Sequence, residues 1–209
     1  MKKTVCIYPE DPTTVFLLPL YEHICTNMQA IGIHNDTTEE DDSLDKIYAE
    51  IQDAECVVFL GHGTSQLLYG SNCANVVFEK NNCDLLFNKR LLLLSCNSDQ
   101  FIKNYKLADA AGFGFLPTSL DDARLTRQIH GITVEHIEKK DVGYYNFALV
   151  NAFIRSLSET TLHDFHLFKE KLKFNISGEI VQCLLKKEAP NYRTVADELY
   201  YVYKDMIVS

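Results

Sequence analysis

Tryptophan is absent from this sequence and glycine and proline are scarce, with 9 and 5 occurrences. The missing tryptophan excludes nothing by itself. The low Gly and Pro content, beside 46% apolar and 23% charged residues, argues against a repetitive or disordered chain outside the termini and the acidic stretch near residue 40. No run approaches the roughly 18 apolar residues of a membrane span, so no membrane association is expected. No Gly-x-Gly-x-x-Gly and no Gly-Lys-Ser of the phosphate-loop type occur, and nucleotide binding has no support. Positive charge is also short: 20 Lys and Arg against 29 Asp and Glu give a net charge of -9. The one basic stretch, FKEKLKF at 168–174, is interrupted by Glu170, which disfavours binding to a phosphate backbone.

Cysteine is not lacking, but its pattern is uninformative for metals or disulfides. Seven residues (6, 25, 56, 73, 83, 96 and 183) contain no Cys-x-x-Cys pair, and MKKTVCIYPEDP is not a secretory leader. Free thiols in a reducing cytoplasm are expected. His163 and His166 lie three apart without a third ligand at metal spacing, and Cys73 and Cys83 are read as ordinary thiols. Neither metal nor cofactor is expected.

A chain of 209 residues fills one core better than two, so residues 1–209 are taken as a single domain. TVCIY (4–8) and AIGIH (30–34) read as strands, and a helix starts near Pro19, where a missing N–H costs nothing. Leu44, Ile47, Tyr48 and Ile51 keep helical spacing. CVVFL (56–60) and RLLLLS (90–95) are apolar without alternation, as strands covered on both faces are. A helix over 97–112 and a fifth strand over FGFL (113–116) follow, and GFGF is taken as a close approach of backbone within the sheet. Signals between 118 and 142 are weak, with a candidate strand at 132–137. Residues 143–209 are mainly helical, in segments centred on 147–157, 162–168, 176–184 and 195–206, with KKEAPNYR (186–193) as the break. The alternation implies an α/β domain with a central, mostly parallel sheet and helices on both faces.

Two of these strands end on chemistry. VVFLGHG delivers His62 to a strand tip between two glycines, and RLLLLSCNS delivers Cys96 to the next. In a parallel sheet, sites collect outside the carboxyl ends of the strands. If the two strands are neighbours, the imidazole meets the thiol, and a base beside a thiol is what a cysteine nucleophile requires. The dipole of the helix after Cys96 would lower its pKa further. The backbone N–H groups of Gly63 and Cys96 are candidates for an oxyanion hole, and Gly61 for a positive φ at a sharp turn. The bland alternative is a buried core cysteine beside a Gly-His-Gly turn.

The pair VVFLGHG and RLLLLSCNS resembles the caspase-like (clan CD) cysteine peptidases, most closely the CHAT (caspase and separase related) branch. KLADAAGFGFLPTS (106–119) is similar to the stretch that follows the nucleophile there. The resemblance covers residues 50–120. It implies a caspase-like three-layer α/β sandwich, with His62 as base, its ring oriented by a backbone carbonyl rather than a carboxylate, and Cys96 as nucleophile. The sequence departs from the caspase pattern. Leu94 and Ser95 stand where Gln-Ala precedes the nucleophile, Asn97 follows it, and the His-to-Cys interval is shorter than the roughly 50 residues of caspases. Cleavage after aspartate is therefore not implied.

Ser65 and Asp99 are candidates for a substrate pocket, although Asp99 in a first helical turn also serves as ordinary capping. The expected function is a cysteine endopeptidase acting on a specific protein substrate, under the control of a regulatory protein partner. The competing expectation is a catalytically inactive caspase-like interaction or regulatory module.

Overall fold

A computed structural model describes residues 3–35, 42–129, 137–160, 162 and 164–209. Its elements in chain order are β1 (Thr4–Pro9), α1 (Leu18–Asn27), β2 (Ile31–Asn35), α2 (Asp42–Gln52), β3 (Cys56–Leu60), β4 (Leu68–Tyr69), β5 (Val76–Phe78), β6 (Arg90–Leu94), α3 (Ser98–Tyr105), β7 (Ala110–Gly112), α4 (Leu120–Ile129), α5 (Lys139–Glu159), α6 (Phe165–Lys186), α7 (Tyr192–Lys204) and β8 (Ile207–Val208). Six strands form one sheet in the order β2-β1-β3-β6-β7-β8, and β4 and β5 form a separate hairpin. Every pairing in the main sheet is parallel except the last, in which β8 runs antiparallel to β7. The fold is thus mixed α/β with a mostly parallel central sheet.

The unalternating runs owe their composition to burial on both faces. Cys6, Tyr8, Val58, Leu60, Leu92 and Leu94 enter one apolar cluster with α1, α5, α6 and α7. Val5, Ile7, Val57, Phe59, Leu91 and Leu93 enter a second cluster with α2 and α3. Each such side chain, removed from water, contributes about 1.5–3 kcal/mol. Pro19 sits in the first turn of α1, where it forfeits no helical bond.

Several boundaries differ from expectation. The fifth strand is Ala110–Gly112, not 113–116, and the helix before it stops at Tyr105 because Lys106 turns left-handed at φ 54°. Ala110 and Ala111 therefore belong to the sheet and not to a helix face. Residues 118–142, weak in signal, contain α4. The candidate strand at 132–137 falls almost wholly outside the described residues. The end of the segment at 162–168 joins that at 176–184 in α6, which starts at Phe165 and is capped by Asp164 accepting from the Leu167 N–H at 2.8 Å. Residues 169–175 contain no helix breaker, and the lone Gly178 inside the second segment costs only about 1 kcal/mol. The break at 186–193 lies between α6 and α7.

The topology fixes where a site can form. From β1 the chain passes through α1 to β2 on one side, then returns through α2 on the opposite sheet face to β3 on the other side of β1. The carboxyl ends of β1 and β3 thus flank a topological switch point, the crevice in which open α/β sheets hold their ligands.

Candidate functional site

The ladder between β3 and β6 pairs Cys56 with Arg90 and Leu60 with Leu94. It runs one residue further, with the Gly61 N–H donating to the Leu94 carbonyl at 3.2 Å. Continued, this register sets His62 opposite Cys96 on the sheet face covered by α1 and α5. Strands in a sheet lie about 4.8 Å apart. Both residues line one small cavity of about 10 Å³, with Thr14, Phe16, Leu17, Leu116, Thr118 and Leu149 among its walls. That is room for about one water.

His62 is held from behind by a carboxylate. The loop after β1 folds around Asp11, whose Oδ1 accepts from the Thr13 N–H (2.7 Å), the Thr13 hydroxyl (2.7 Å) and the Thr14 N–H (3.1 Å). Its Oδ2 lies 2.7 Å from Nε2 of His62, with only 4% of the Asp11 side chain exposed. Thr13 Oγ1 is 2.9 Å from the same nitrogen. A carboxylate only accepts, so Nε2 carries a proton and Nδ1 is left as the basic nitrogen of the neutral ring. Burial would raise the Asp11 carboxyl, but the Thr13 hydroxyl and N–H, the charge of His62 and the Thr14 N–H outweigh it and hold the group below its ordinary value. The expected backbone carbonyl behind His62 is thus replaced by Asp11. The residue escapes a linear reading because β1 and β3 are neighbours only in the folded sheet. Its one local signal is Asp-Pro-Thr-Thr after a strand, a sequence suited to a side-chain-stabilised turn.

Cys96 is engaged by a backbone carbonyl. Its thiol donates to the Leu116 carbonyl at 3.3 Å. The dipole of α3 was expected to lower its pKa; instead burial pushes the thiol up to about 11, and the Asp122 carboxylate works in the same direction. Asn97, where the caspase pattern differs, adopts a left-handed conformation at φ 55° and turns the chain from β6 into α3. Among residues with a Cβ, asparagine tolerates that conformation best. The buried Ser98 hydroxyl fixes the turn, donating to the Leu93 carbonyl (2.6 Å) and accepting from the Phe113 N–H (2.8 Å).

The remaining candidates take distinct places. Gly63 is paired with Leu68 of the hairpin. The flanking bonds, Tyr69 N–H to the His62 carbonyl (3.0 Å) and Thr64 N–H to the Leu67 carbonyl (2.8 Å), mark this as a non-hydrogen-bonded pair. The Gly63 N–H therefore faces away from the hairpin. A Cβ on Gly63 would sit 2.7 Å from Ser95 Oγ, so only glycine fits there. Gly61 does not adopt the expected positive φ; it lies close under the Pro9 ring and continues the ladder. Ser65 is on the loop before β4, its carbonyl accepting from Asn104 Nδ2 at 2.8 Å. Asp99 lies in the first turn of α3 with its carboxylate engaged by Lys103 (3.2 Å) and Gln100 (2.6 Å). Neither Ser65 nor Asp99 is among the residues lining the His62–Cys96 cavity.

Among the described residues no cluster of three or more His, Cys, Asp or Glu is placed to hold a metal, and no helix is long and apolar enough to cross a membrane. Compared with protein-family models, curated proteins and solved structures, the chain matches none of them.

Proposed function

We propose that this chain is a cysteine endopeptidase with the layered α/β architecture of the caspase-like clan, cytoplasmic and held closed until a protein partner opens it. The observation that carries the reading is the convergence of three residues from three strand ends: Asp11 after β1, His62 after β3 and Cys96 after β6. Asp11 fixes the ring of His62 with Nε2 protonated, so that Nδ1 serves as base. On opening, the Cys96 thiol leaves the Leu116 carbonyl, gives its proton to His62 and attacks the substrate carbonyl carbon. The N–H groups of Gly63 and Cys96 receive the oxyanion. His62 returns the proton to the departing amine, and water then releases the acyl group from the sulfur.

The cavity admits about one water and no peptide, and the thiol is protonated at neutral pH, so the 116–118 segment must move before catalysis. That segment is tied to the start of α4, where Asp122 accepts from the Thr118 hydroxyl (3.2 Å), the Ser119 N–H (3.1 Å) and the Ser119 hydroxyl (2.7 Å). A partner that draws this turn away frees Cys96. The test is labelling of Asp122→Ala, in which the 116–118 turn has lost its anchor, with a library of electrophilic peptides mapped by mass spectrometry. A Cys96 adduct that is lost in His62→Ala supports the dyad; labelling spread evenly over the thiols, or unchanged in His62→Ala, overturns it.

A catalytically inactive interaction module is the second reading, favoured by the closed thiol and by the apolar side chains α6 leaves in solvent, including Phe174 (72% exposed) and Leu185 (71%). It requires partner binding to persist in Cys96→Ala and to fail when Phe174 and Leu185 are replaced by polar residues.

A further inference from the structure

A second thiol site lies one strand away from the first. Cys6 is fully buried in β1 and pairs in register with Gly32 of β2. From α1, which covers that face, Cys25 reaches down over Gly32. A Cβ on Gly32 would fall 2.7 Å from Cys25 Sγ, so the glycine clears the space the sulfur occupies. Neighbouring strands are about 4.8 Å apart, so the Cys25 sulfur over Gly32 lies at the position adjoining Cys6, and Cys25 packs against the apolar cluster that contains Cys6. Tyr21, one helical turn before Cys25, brings its hydroxyl over the same glycine, where an added Cβ would meet it together with the sulfur.

We propose that Cys6 and Cys25 form a peroxide-responsive dithiol, with Cys25 as the attacking sulfur and Cys6 as the resolving one, closing to a reversible disulfide between β1 and α1. Cys25 is partly open to solvent, whereas Cys6 is sealed in the core. The neighbouring Cys6 thiol and Tyr21 hydroxyl outweigh burial and bring the Cys25 thiol down to about 7. The other cysteines are shifted the opposite way: burial takes Cys56 and Cys83 up to about 12 and Cys96 to about 11, and raises Cys6, Cys73 and Cys183. A low-pKa, accessible thiol beside a second cysteine is the arrangement of peroxide-sensitive sites.

The chemistry balances with hydrogen peroxide as oxidant. The Cys25 thiolate attacks one peroxide oxygen, the O–O bond breaks, and the hydroxide released takes a proton to become water, leaving a sulfenic acid. The Cys6 sulfur then attacks Cys25 sulfur; the S–S bond forms, the S–O bond breaks, and the hydroxyl departs with the Cys6 proton as a second water. Two thiols lose two electrons and one peroxide gains them. A small thiol reverses the step by exchange.

The test is to treat the native protein with one equivalent of hydrogen peroxide at pH 7, quench with N-ethylmaleimide and map the thiols by mass spectrometry. A Cys6–Cys25 cross-linked peptide is expected, reversed by dithiothreitol, with Cys25 losing its alkylatable thiol about tenfold faster than the exposed Cys73. In Cys6→Ala, dimedone should trap Cys25 as the sulfenic acid; in Cys25→Ser, both products disappear. Oxidation of Cys73 ahead of Cys25, or oxidation of Cys25 without linkage to Cys6, overturns the proposal. The wild-type map decides this even if the core variant Cys6→Ala does not fold, and its outcome is independent of whether Cys96 is a nucleophile.

Discussion

The Asp11 carboxylate lies 2.7 Å from Nε2 of His62, although 51 positions separate the two in the chain. The carboxylate also organises its own turn through Thr13 and Thr14, so the group that orients the imidazole is itself immobilised by three hydrogen bonds. Loop and ring form one unit.

That unit predicts a pH-dependent stability. The Asp11 carboxyl titrates below its unfolded value, so its contribution is present above about pH 4 and is lost as pH falls through the lower folded value. Urea melts across that window should show a steeper acid loss for wild type than for Asp11→Asn. At neutral pH, Asp11→Ala should cost about 2 kcal/mol through its charged hydrogen bonds. Equal acid slopes in wild type and Asp11→Asn would count against the ion pair.

Cys96 should be slow toward small alkylating agents. With its thiol pushed up to about 11, iodoacetamide at pH 7.5 should leave Cys96 unmodified in the folded protein while labelling it in urea. Raising the pH toward 10 should recruit it. Fast labelling at neutral pH would mean that the Leu116 contact is not the resting state.

Gly63 and Ser95 should be coupled. An alanine methyl at 63 would meet Ser95 Oγ at 2.7 Å and Leu68 Cδ2 at 2.9 Å, so Gly63→Ala should cost about 1–3 kcal/mol. Ser95 Oγ is buried without a hydrogen-bond partner among the described residues, so Ser95→Ala should be neutral or stabilising by about 1 kcal/mol. In the double variant the closest of these contacts, the hydroxyl, is gone, and those with Leu68 Cδ2 and Ser95 Cβ remain. A double-mutant cycle measured by chemical denaturation should therefore show a favourable coupling energy, and strict additivity would contradict the packing.

Gly178 offers a control away from the site. A Cβ there meets nothing within 4 Å among the described residues, and the residue sits inside a 22-residue helix. Gly178→Ala should raise stability by about 1 kcal/mol and shift the thermal midpoint upward. A loss would point to backbone strain in α6.

Much of the core and half of the candidate site are legible in the chain. Cys56–Leu60 and Leu91–Leu94 read as covered strands because burial on both faces leaves no alternation, and His62 and Cys96 stand out because each ends such a run. What hides is whatever depends on strand order. Asp11 becomes a neighbour of His62 only because β1 lies beside β3, and no local pattern encodes that adjacency. Ala110 and Ala111 look helical by intrinsic preference, yet pairing with Leu91 and Leu92 overrides it. Ile207 and Val208 are too few for periodicity to mark them as a strand. The state of Cys96 was hidden for another reason: its exposure is set by Leu116, on a segment with no recognisable signal.

The antiparallel closure of the sheet bears on the order in which the molecule folds. Ser209 bonds to Ala110 across 99 residues, through both backbone and hydroxyl, and β8 reaches β7 only after α5, α6 and α7 have been traversed. Bringing such distant segments together carries a large loop-closure entropy that must be met before their contacts reward it. The parallel strands β1, β3, β6 and β7 are complete by residue 112 and can associate during synthesis, but the edge of β7 stays unpaired until the three long helices dock. For that interval the emerging chain presents an open row of amides and carbonyls, the state most exposed to aggregation and to capture by chaperones.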